Sequence, residues 1–259
     1  MDNTASGFFR GVGDIWRGAG LLLGRPGLWL WVLIPFAINI AVFGLLAWAG
    51  WHYASQVITH YTGDGFWWNI LHWIMNVLVW LFLGALVIFL FVPIGSLIAL
   101  PFNDVLSEKV EIILTGASVD ESFSLKALTR AMVVGAHTSI KLTLKTLALL
   151  VPVMLLYLFP GGAPVAAILS ALITIRFLSL EFTSYSMDRR YYDYRRRAEF
   201  LQKNRARTFG LGTMAWLIML VPVLNALFIP VSAVAGTILF CETELAPAFS
   251  NKHLPPRGR

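Results

Sequence analysis

Residues 147–175 read LALLVPVMLLYLFPGGAPVAAILSALITI, an apolar stretch without Asp, Glu, Lys or Arg that the motif PGGAP interrupts at residues 160–164. The interruption leaves two apolar arms, residues 147–159 and 165–175. Because a helix rises about 1.5 Å per residue, each arm reaches less than ~20 Å, whereas the hydrocarbon core of a membrane is about 30 Å thick. The stretch therefore predicts a re-entrant helical hairpin that enters and leaves the membrane on one side. Two tilted spans that borrow flanking residues are the alternative.

A second apolar block has the same character. It covers residues 209–241 and is interrupted by Pro222, Asn225 and Pro230. Its residues 220–239 align without gaps on residues 150–169, and the alignment superimposes two prolines of each block. Paired broken apolar segments are typical of the substrate region of transporters, although a packing repeat without a transport pathway gives the same pattern. We predict a second re-entrant hairpin here.

The composition indicates an integral membrane protein. Hydrophobic residues make up 58% of the 259 residues and charged residues only 13%, compared with about 25% charged residues in soluble domains. No Asp, Glu, Lys or Arg occurs in residues 26–63 or 65–103, and both runs exceed the ~20 residues that a transmembrane helix needs. These runs predict long transmembrane helices at residues 28–51 and 67–92.

The distribution of basic residues predicts the orientation. The loop at residues 52–65 has no Lys or Arg, whereas residues 189–207, here called the basic cluster, hold the densest group of them. Basic segments stay on the cytoplasmic side, so both hairpins are expected to enter from there. Beside a membrane, the basic cluster and the net charge of +6 favour contact with anionic lipid over nucleic acid.

Two further segments are predicted to be amphipathic helices at the membrane surface. The first is residues 1–25, which place one apolar face on a helix through Phe8, Val12, Ile15, Ala19 and Leu22. The second follows Pro101, where the preceding helix is expected to kink or break. Asn103 or Asp104 would then cap the new helix.

Four polar residues within apolar blocks are candidates for lining a transport pathway: Asn39, Arg176, Glu181 and Asn225. Hydrogen bonds between helices are the alternative for the two asparagines. A structural ion pair or contact with the membrane surface is the alternative for Arg176 and Glu181. The sequence carries no recognisable catalytic, phosphate-binding, cofactor or metal motif, so we predict neither an enzyme nor a cofactor. A single cysteine, Cys241, excludes an intrachain disulfide.

Three stretches together resemble the CysZ/EI24 family of bacterial inner-membrane proteins. They are RPGLWLWVLIPFAINI at residues 25–40, ALPFNDVLSEKVEIILTGAS at residues 99–118 and FGLGTMAWLIMLVPVLNALFIPVSAVAGTILFCE at residues 209–242. The middle stretch carries the family motif at Pro101, Phe102, Asn103, Glu108 and Glu111.

The resemblance implies one all-helical membrane domain over residues 1–259, with two long transmembrane helices and two hemi-penetrating hairpins. It also implies a multi-pass protein of the bacterial inner membrane that forms homo-oligomers. The implied function is uptake of a small oxyanion, sulfate, for cysteine biosynthesis.

The chain departs from the family pattern just before the first crossing. Sulfate-transporting members carry Gly-(Leu/Ile)-Arg there, a region associated with sulfate binding. Gly27 and Leu28 match, but Trp29 and Leu30 stand at the arginine positions and the nearest cation is Arg25. Arg25, Gly27 and Leu28, with the N–H groups that begin the helix, are therefore the predicted anion site. The alternative is a non-transporting membrane scaffold or envelope-homeostasis protein that has lost this site.

Overall fold

The computed structural model describes residues 4–61, 65–116 and 125–245. Side chains are described within these ranges except at residues 61, 87–94, 96–97, 125–139 and 222–227. The α-helices in the described ranges are α1 (Thr4–Leu23), α2 (Pro26–Tyr61), α3 (Phe66–Thr115), α4 (Leu125–Leu155), α5 (Ala163–Asp188), α6 (Tyr194–Lys203), α7 (Arg205–Met219) and α8 (Pro222–Phe240). A π-helical turn, Cys241–Leu245, follows α8. These ranges contain no strand.

Among the described residues, five helical segments are long and apolar enough to cross a membrane. They are Pro26–His60, Phe66–Leu86, Ile140–Leu158, Ala163–Asp188 and Phe228–Leu245. The predicted all-α membrane fold is confirmed. The division into two crossings and two re-entrant hairpins stays a prediction, because α4 and α5 extend past the apolar arms. The 26 residues of α5 measure about 39 Å at 1.5 Å per residue, so helix length alone permits a span.

The PGGAP motif forms the predicted break between α4 and α5. A short 3-10 turn, Leu156–Leu158, follows α4, and α5 begins at Ala163 with a proline in its first turn. Gly161 has a φ of +79°, a left-handed conformation that favours glycine. A Cβ at Gly162 would overlap the carbonyl oxygen of Leu156. Local chemistry thus fixes this turn.

The second block breaks at only one of its predicted positions. Helix α7 ends at Met219, and α8 begins at Pro222. Pro230 lies inside α8, so the prediction of a break there was wrong. A proline within a membrane helix is tolerated where neighbouring helices compensate for the lost hydrogen bond. The side chain of Asn225 lies outside the described residues.

Cysteine labelling tests whether the α4–α5 turn reaches the outer face of the membrane. On a Cys241→Ala background, an impermeant maleimide applied from outside should label Gly63→Cys and leave Phe159→Cys unlabelled. The physical reason is that the turn of a re-entrant hairpin stays within the bilayer. Labelling of both cysteines at similar rates from outside would instead establish α4 and α5 as two full spans.

The chain divides into two compact units. The long-helix unit is Leu33–Phe102, and the core unit comprises Met1–Val32 and Asn103–Arg259. In the long-helix unit, α2 contacts α3 through Trp51 and Trp80, whose ring centroids are 4.7 Å apart. The Asn39 amide donates a hydrogen bond to the Gly95 carbonyl at 3.4 Å. Asn39 therefore links two helices, in line with the alternative interpretation of this residue.

In the core unit, α1 packs on α7 and α8 through a face of small residues. Gly7 and Gly11 face α7, and Gly18 faces Val231 and Ala235 of α8. The buried residues of α1 are Gly7, Gly11, Asp14, Ile15, Gly18 and Leu22. The predicted apolar face is thus only partly buried, and the glycine face lets the helix backbones approach closely. Helix α1 is built into the core unit and is not only a surface helix.

The second predicted surface helix does not exist as a separate element, because α3 continues through Pro101 to Thr115. The prediction of a turn and a new helix after Pro101 was therefore wrong, and so was the prediction of a cap at Asn103 or Asp104. Leu106 and Val110 are completely buried in the core unit. Asn103 is also buried, and its side chain forms a hydrogen bond with Tyr185. Tertiary packing thus keeps the chain helical although proline removes one backbone hydrogen bond.

Candidate anion site and buried charge networks

The predicted anion site lies at the break between α1 and α2. Arg25 connects the two helices, and its guanidinium is exposed and forms no hydrogen bond or ion pair with any residue that the structure describes. Pro26 has no N–H, and the Leu28 N–H donates to the carbonyl of Arg25 at 3.0 Å. Of the first three residues of α2, only Gly27 therefore retains an N–H that an anion can reach. The site offers one cation and one backbone donor.

The neighbouring side chains leave this site open. Leu28 is buried, so its side chain supports the start of α2, and Trp29 and Leu30 are exposed. A Cβ at Gly27 would meet no described atom within 4 Å. Because the side chain of Trp29 is exposed, a longer polar side chain at this position would not have to enter the interior.

The basic cluster supplies arginines to the interior of the core unit, which the sequence did not indicate. At the end of α5, Arg189 donates to the carboxylates of Asp104 at 2.9 Å and Glu111 at 3.0 Å. It also donates to the Ser107 hydroxyl at 2.9 Å. Arg190 forms a second ion pair with Glu111. We call these four charged residues the α3–α5 network.

The pKa values of the two carboxyls in the α3–α5 network are shifted in opposite directions. Burial by itself raises the pKa of Glu111, but the hydrogen bonds from Arg190 and Arg189 outweigh it and hold that pKa below its ordinary value. Burial raises the pKa of Asp104, and the charge of Arg189 counteracts only part of this effect. Glu111 is thus firmly ionised, whereas the ionisation of Asp104 depends on Arg189.

A second network connects α1, α7 and the turn after α8. Asp14 is completely buried and accepts hydrogen bonds from Arg17 at 2.9 Å and from Arg207 at 2.6 and 2.9 Å. Glu242 pairs with Arg207 at 2.7 Å and also with Arg17. We call these four residues the α1–α7 network. Each network holds two guanidiniums and two carboxylates, so neither has a surplus positive charge.

The sequence did contain a signal for Asp14. Gly7, Gly11, Asp14 and Gly18 recur at intervals of three or four residues, which places them on one face of a helix. An acidic side chain within a stripe of glycines indicates a buried carboxylate that needs a cationic partner. The identity of that partner, Arg207, depends on the fold.

The pathway candidates in α5 do not pair with each other. In the described part of the chain, no hydrogen bond or ion pair joins the side chain of Arg176 to that of Glu181. The alternative interpretation of these two residues as an ion pair is therefore wrong. Five residues of an α-helix correspond to about 140° around its axis, so their side chains point in different directions. One carboxylate oxygen of Glu181, Oε2, is buried and has no hydrogen-bond partner among the described residues.

The family motif on α3 divides into two groups. Asn103 and Glu111 are buried and bonded to α5, as described above. Glu108 is only half-buried and forms no ion pair with a described residue. The motif therefore fixes α3 within the core unit, with Pro101 and Phe102 preceding the segment that packs there.

A family model described as "Sulfate transporter CysZ/Etoposide-induced protein 2.4" matches residues 14–230 of this chain. The chain belongs to this family. The match runs from Asp14 of the α1–α7 network into α8, and it includes the predicted anion site and the α3 motif. The resemblance of the three sequence stretches to the CysZ/EI24 family is thereby confirmed.

Curated relatives extend over nearly the whole chain. A protein named sulfate transporter CysZ from Pseudomonas paraeruginosa is 32% identical over 244 residues, covering 90% of this chain and 95% of that protein. A protein of the same name from Pseudomonas syringae pv. tomato is 29% identical and covers 92% of this chain. One from Pectobacterium atrosepticum is also 29% identical and covers 93%. Membership of the CysZ/EI24 family thus applies to the chain as a whole.

Proposed function

We propose that this protein takes up sulfate across the bacterial inner membrane and supplies it to cysteine biosynthesis. The observation that carries the proposal is the similarity, over about nine-tenths of the chain, to relatives named sulfate transporter CysZ. These relatives are named as transporters, which favours transport over the scaffold alternative and over an enzymatic function. The five apolar helices supply the membrane-embedded framework that transport requires.

Arg25 is proposed to contact the anion directly. It has no partner within the described ranges, whereas the arginines of both networks are balanced by carboxylates. A balanced pair cannot bind a dianion without giving up an existing ion pair. Arg25 therefore supplies an uncompensated charge beside the start of α2, and the N–H of Gly27 supplies a directional donor.

The arrangement in the membrane is part of the proposal. Two crossings near residues 28–51 and 67–92 would carry the chain out and back, and the hairpins of residues 147–175 and 209–241 would enter from the cytoplasmic side. We also propose homo-oligomers, on the basis of family membership. Contact of the basic cluster with anionic lipid is proposed because of its positive charge. The absence of Lys and Arg from residues 52–65 supports this orientation.

Sulfate binding and uptake should depend on Arg25. Arg25→Ala is expected to weaken sulfate binding to the purified protein by roughly ten- to a hundredfold, because a charge-assisted hydrogen bond contributes about 1.5–3 kcal/mol. Trp29→Arg is expected to strengthen binding, since it restores a guanidinium at the family's position. Uptake of labelled sulfate into proteoliposomes should follow the same order.

A matched control separates a specific site from general surface charge. Arg195 is 87% exposed and makes only a surface pair with Glu199, so Arg195→Ala removes one charge and should leave sulfate binding unchanged. Equal losses in Arg25→Ala and Arg195→Ala would remove Arg25 from the site. Failure of wild type to bind or transport sulfate, with binding gained in Trp29→Arg, would favour the scaffold function.

A further inference from the structure

A cavity of about 450 Å³ opens in the core unit among α1, α5, α6 and α7. Its walls include Phe8, Leu172, Leu201 and Phe209. Leu172 is 44% exposed and Phe209 is 39% exposed, so these walls reach the outer surface of the unit. A volume of this size suits part of a large ligand, and walls of this kind suit hydrocarbon.

Two arginines line the same cavity, Arg176 from α5 and Arg205 at the start of α7. Both are exposed, and neither guanidinium forms a hydrogen bond or ion pair within the described part of the chain. In contrast, Arg197 and Arg207, which lie nearby in sequence, pair with Asp188 and Asp14. The described residues that line the cavity thus supply permanent positive charge and no carboxylate to balance it.

Two hydroxyl groups of the cavity, those of Ser179 and Thr208, are already engaged. Ser179 Oγ lies 2.8 Å from the carbonyl oxygen of Ile175 and 2.7 Å from that of Thr208. Thr208 Oγ1 donates to the Asn204 carbonyl at 3.0 Å. Neither hydroxyl retains a donor for a ligand. Recognition of a negative group is therefore left to the two guanidiniums and the Thr4 hydroxyl, and most of the remaining wall is apolar.

We propose that this cavity binds one anionic phospholipid, with its phosphate at Arg176 and Arg205 and an acyl chain against Leu172 and Phe209. A small hydrated dianion would lose water on entering apolar walls and would find few donors in exchange. An amphiphile has no such conflict, because its chain is favoured by the walls and its phosphate by the guanidiniums. The site is distinct from Arg25 and does not depend on sulfate transport, but through Arg205 it rests on the proposed contact between the basic cluster and anionic lipid and gives that contact a location.

Lipid binding to the full-length protein tests this proposal by native mass spectrometry in detergent. The probes are dioleoyl phosphatidylglycerol, dioleoyl phosphatidylcholine and soluble glycerol 3-phosphate. Wild type should bind phosphatidylglycerol in preference to phosphatidylcholine, and it should bind glycerol 3-phosphate far more weakly. Arg176→Gln combined with Arg205→Gln should weaken phosphatidylglycerol binding by about tenfold or more.

Two further variants make the result specific. Arg195→Gln with Arg196→Gln removes the same charge from α6 outside the cavity; it can weaken the general contact of the basic cluster with anionic lipid but should leave the preference of the cavity for one phosphatidylglycerol molecule unchanged. Leu172→Trp fills part of the apolar wall and should weaken phosphatidylglycerol binding while both arginines remain. Unchanged binding in the Arg176/Arg205 variant, or an equal loss in the α6 control, would overturn the proposal. Glycerol 3-phosphate binding as tight as that of the lipid would show a small-anion site instead.

Discussion

Arg189→Ala is expected to destabilise the protein by about 3–5 kcal/mol, the cost of leaving buried charges without their partner. Arg189 is the residue of α5 that binds Asp104, Ser107 and Glu111 at once. Its loss leaves Asp104 without a cation among the described residues and leaves Glu111 with Arg190 alone. At about 2–4 °C per kcal/mol for a chain of this size, the apparent melting temperature in detergent should fall by roughly 6–20 °C.

The pH dependence of the Arg189→Ala variant provides an internal check. Burial already raises the pKa of Asp104 in the wild type, and loss of Arg189 raises it further. A carboxyl whose pKa is higher in the folded state than in the unfolded state binds a proton more tightly in the folded state. The free energy of unfolding therefore rises as the pH falls through the folded-state pKa toward the unfolded-state pKa. The deficit relative to wild type should therefore shrink from pH 7.5 to pH 5.

The control for this variant is Arg195→Ala, which breaks an exposed pair on α6. Exposed pairs contribute about 0–1 kcal/mol, so its melting temperature should remain near that of wild type. A loss in Arg189→Ala no larger than that of the control would mean that the α3–α5 network does not stabilise the core unit. A deficit that grew at acidic pH would contradict the role given to Asp104.

Gly11→Ala is expected to cost about 3 kcal/mol, at the upper end of the range for overpacking. The added Cβ would overlap the carbonyl oxygen of Arg207 and lie 2.8 Å from the backbone nitrogen of Leu211. Both obstacles are backbone atoms and cannot move aside as a flexible side chain could. Helix α1 would have to separate from α7, which would also stretch the hydrogen bonds between Asp14 and Arg207.

Gly13→Ala is the matched control on the same helix. A Cβ at Gly13 would meet no described atom within 4 Å, and alanine in a helix interior is favoured over glycine by about 1 kcal/mol. The two identical substitutions should thus change the melting temperature in opposite directions. If both raised it, α1 would not be packed on α7 as described, and the interpretation of residues 1–25 as only a surface helix would regain support.

The sequence by itself determined the features that depend on composition and local chemistry. Long uncharged runs cannot be exposed to water, so they predicted the apolar helices of an all-α membrane protein. PGGAP predicted the break before α5 because proline restricts the backbone and removes an N–H donor, whereas glycine permits conformations that other residues avoid. The family resemblance rested on stretches whose order and spacing remain visible in the chain.

Only the tertiary structure decided which charges are paired and where α3 ends. Arg189 and Glu111 are separated by 78 residues, and Arg207 and Asp14 by 193 residues. No local pattern encodes a contact over such distances, so the sequence indicates only a lipid-facing surface for the basic cluster. The structure shows that four of its arginines pair with carboxylates of the core unit that lie outside the cluster: Arg189, Arg190, Arg197 and Arg207. Helix α3 likewise continues past Pro101, because burial of Leu106 and Val110 outweighs the single backbone hydrogen bond that proline removes.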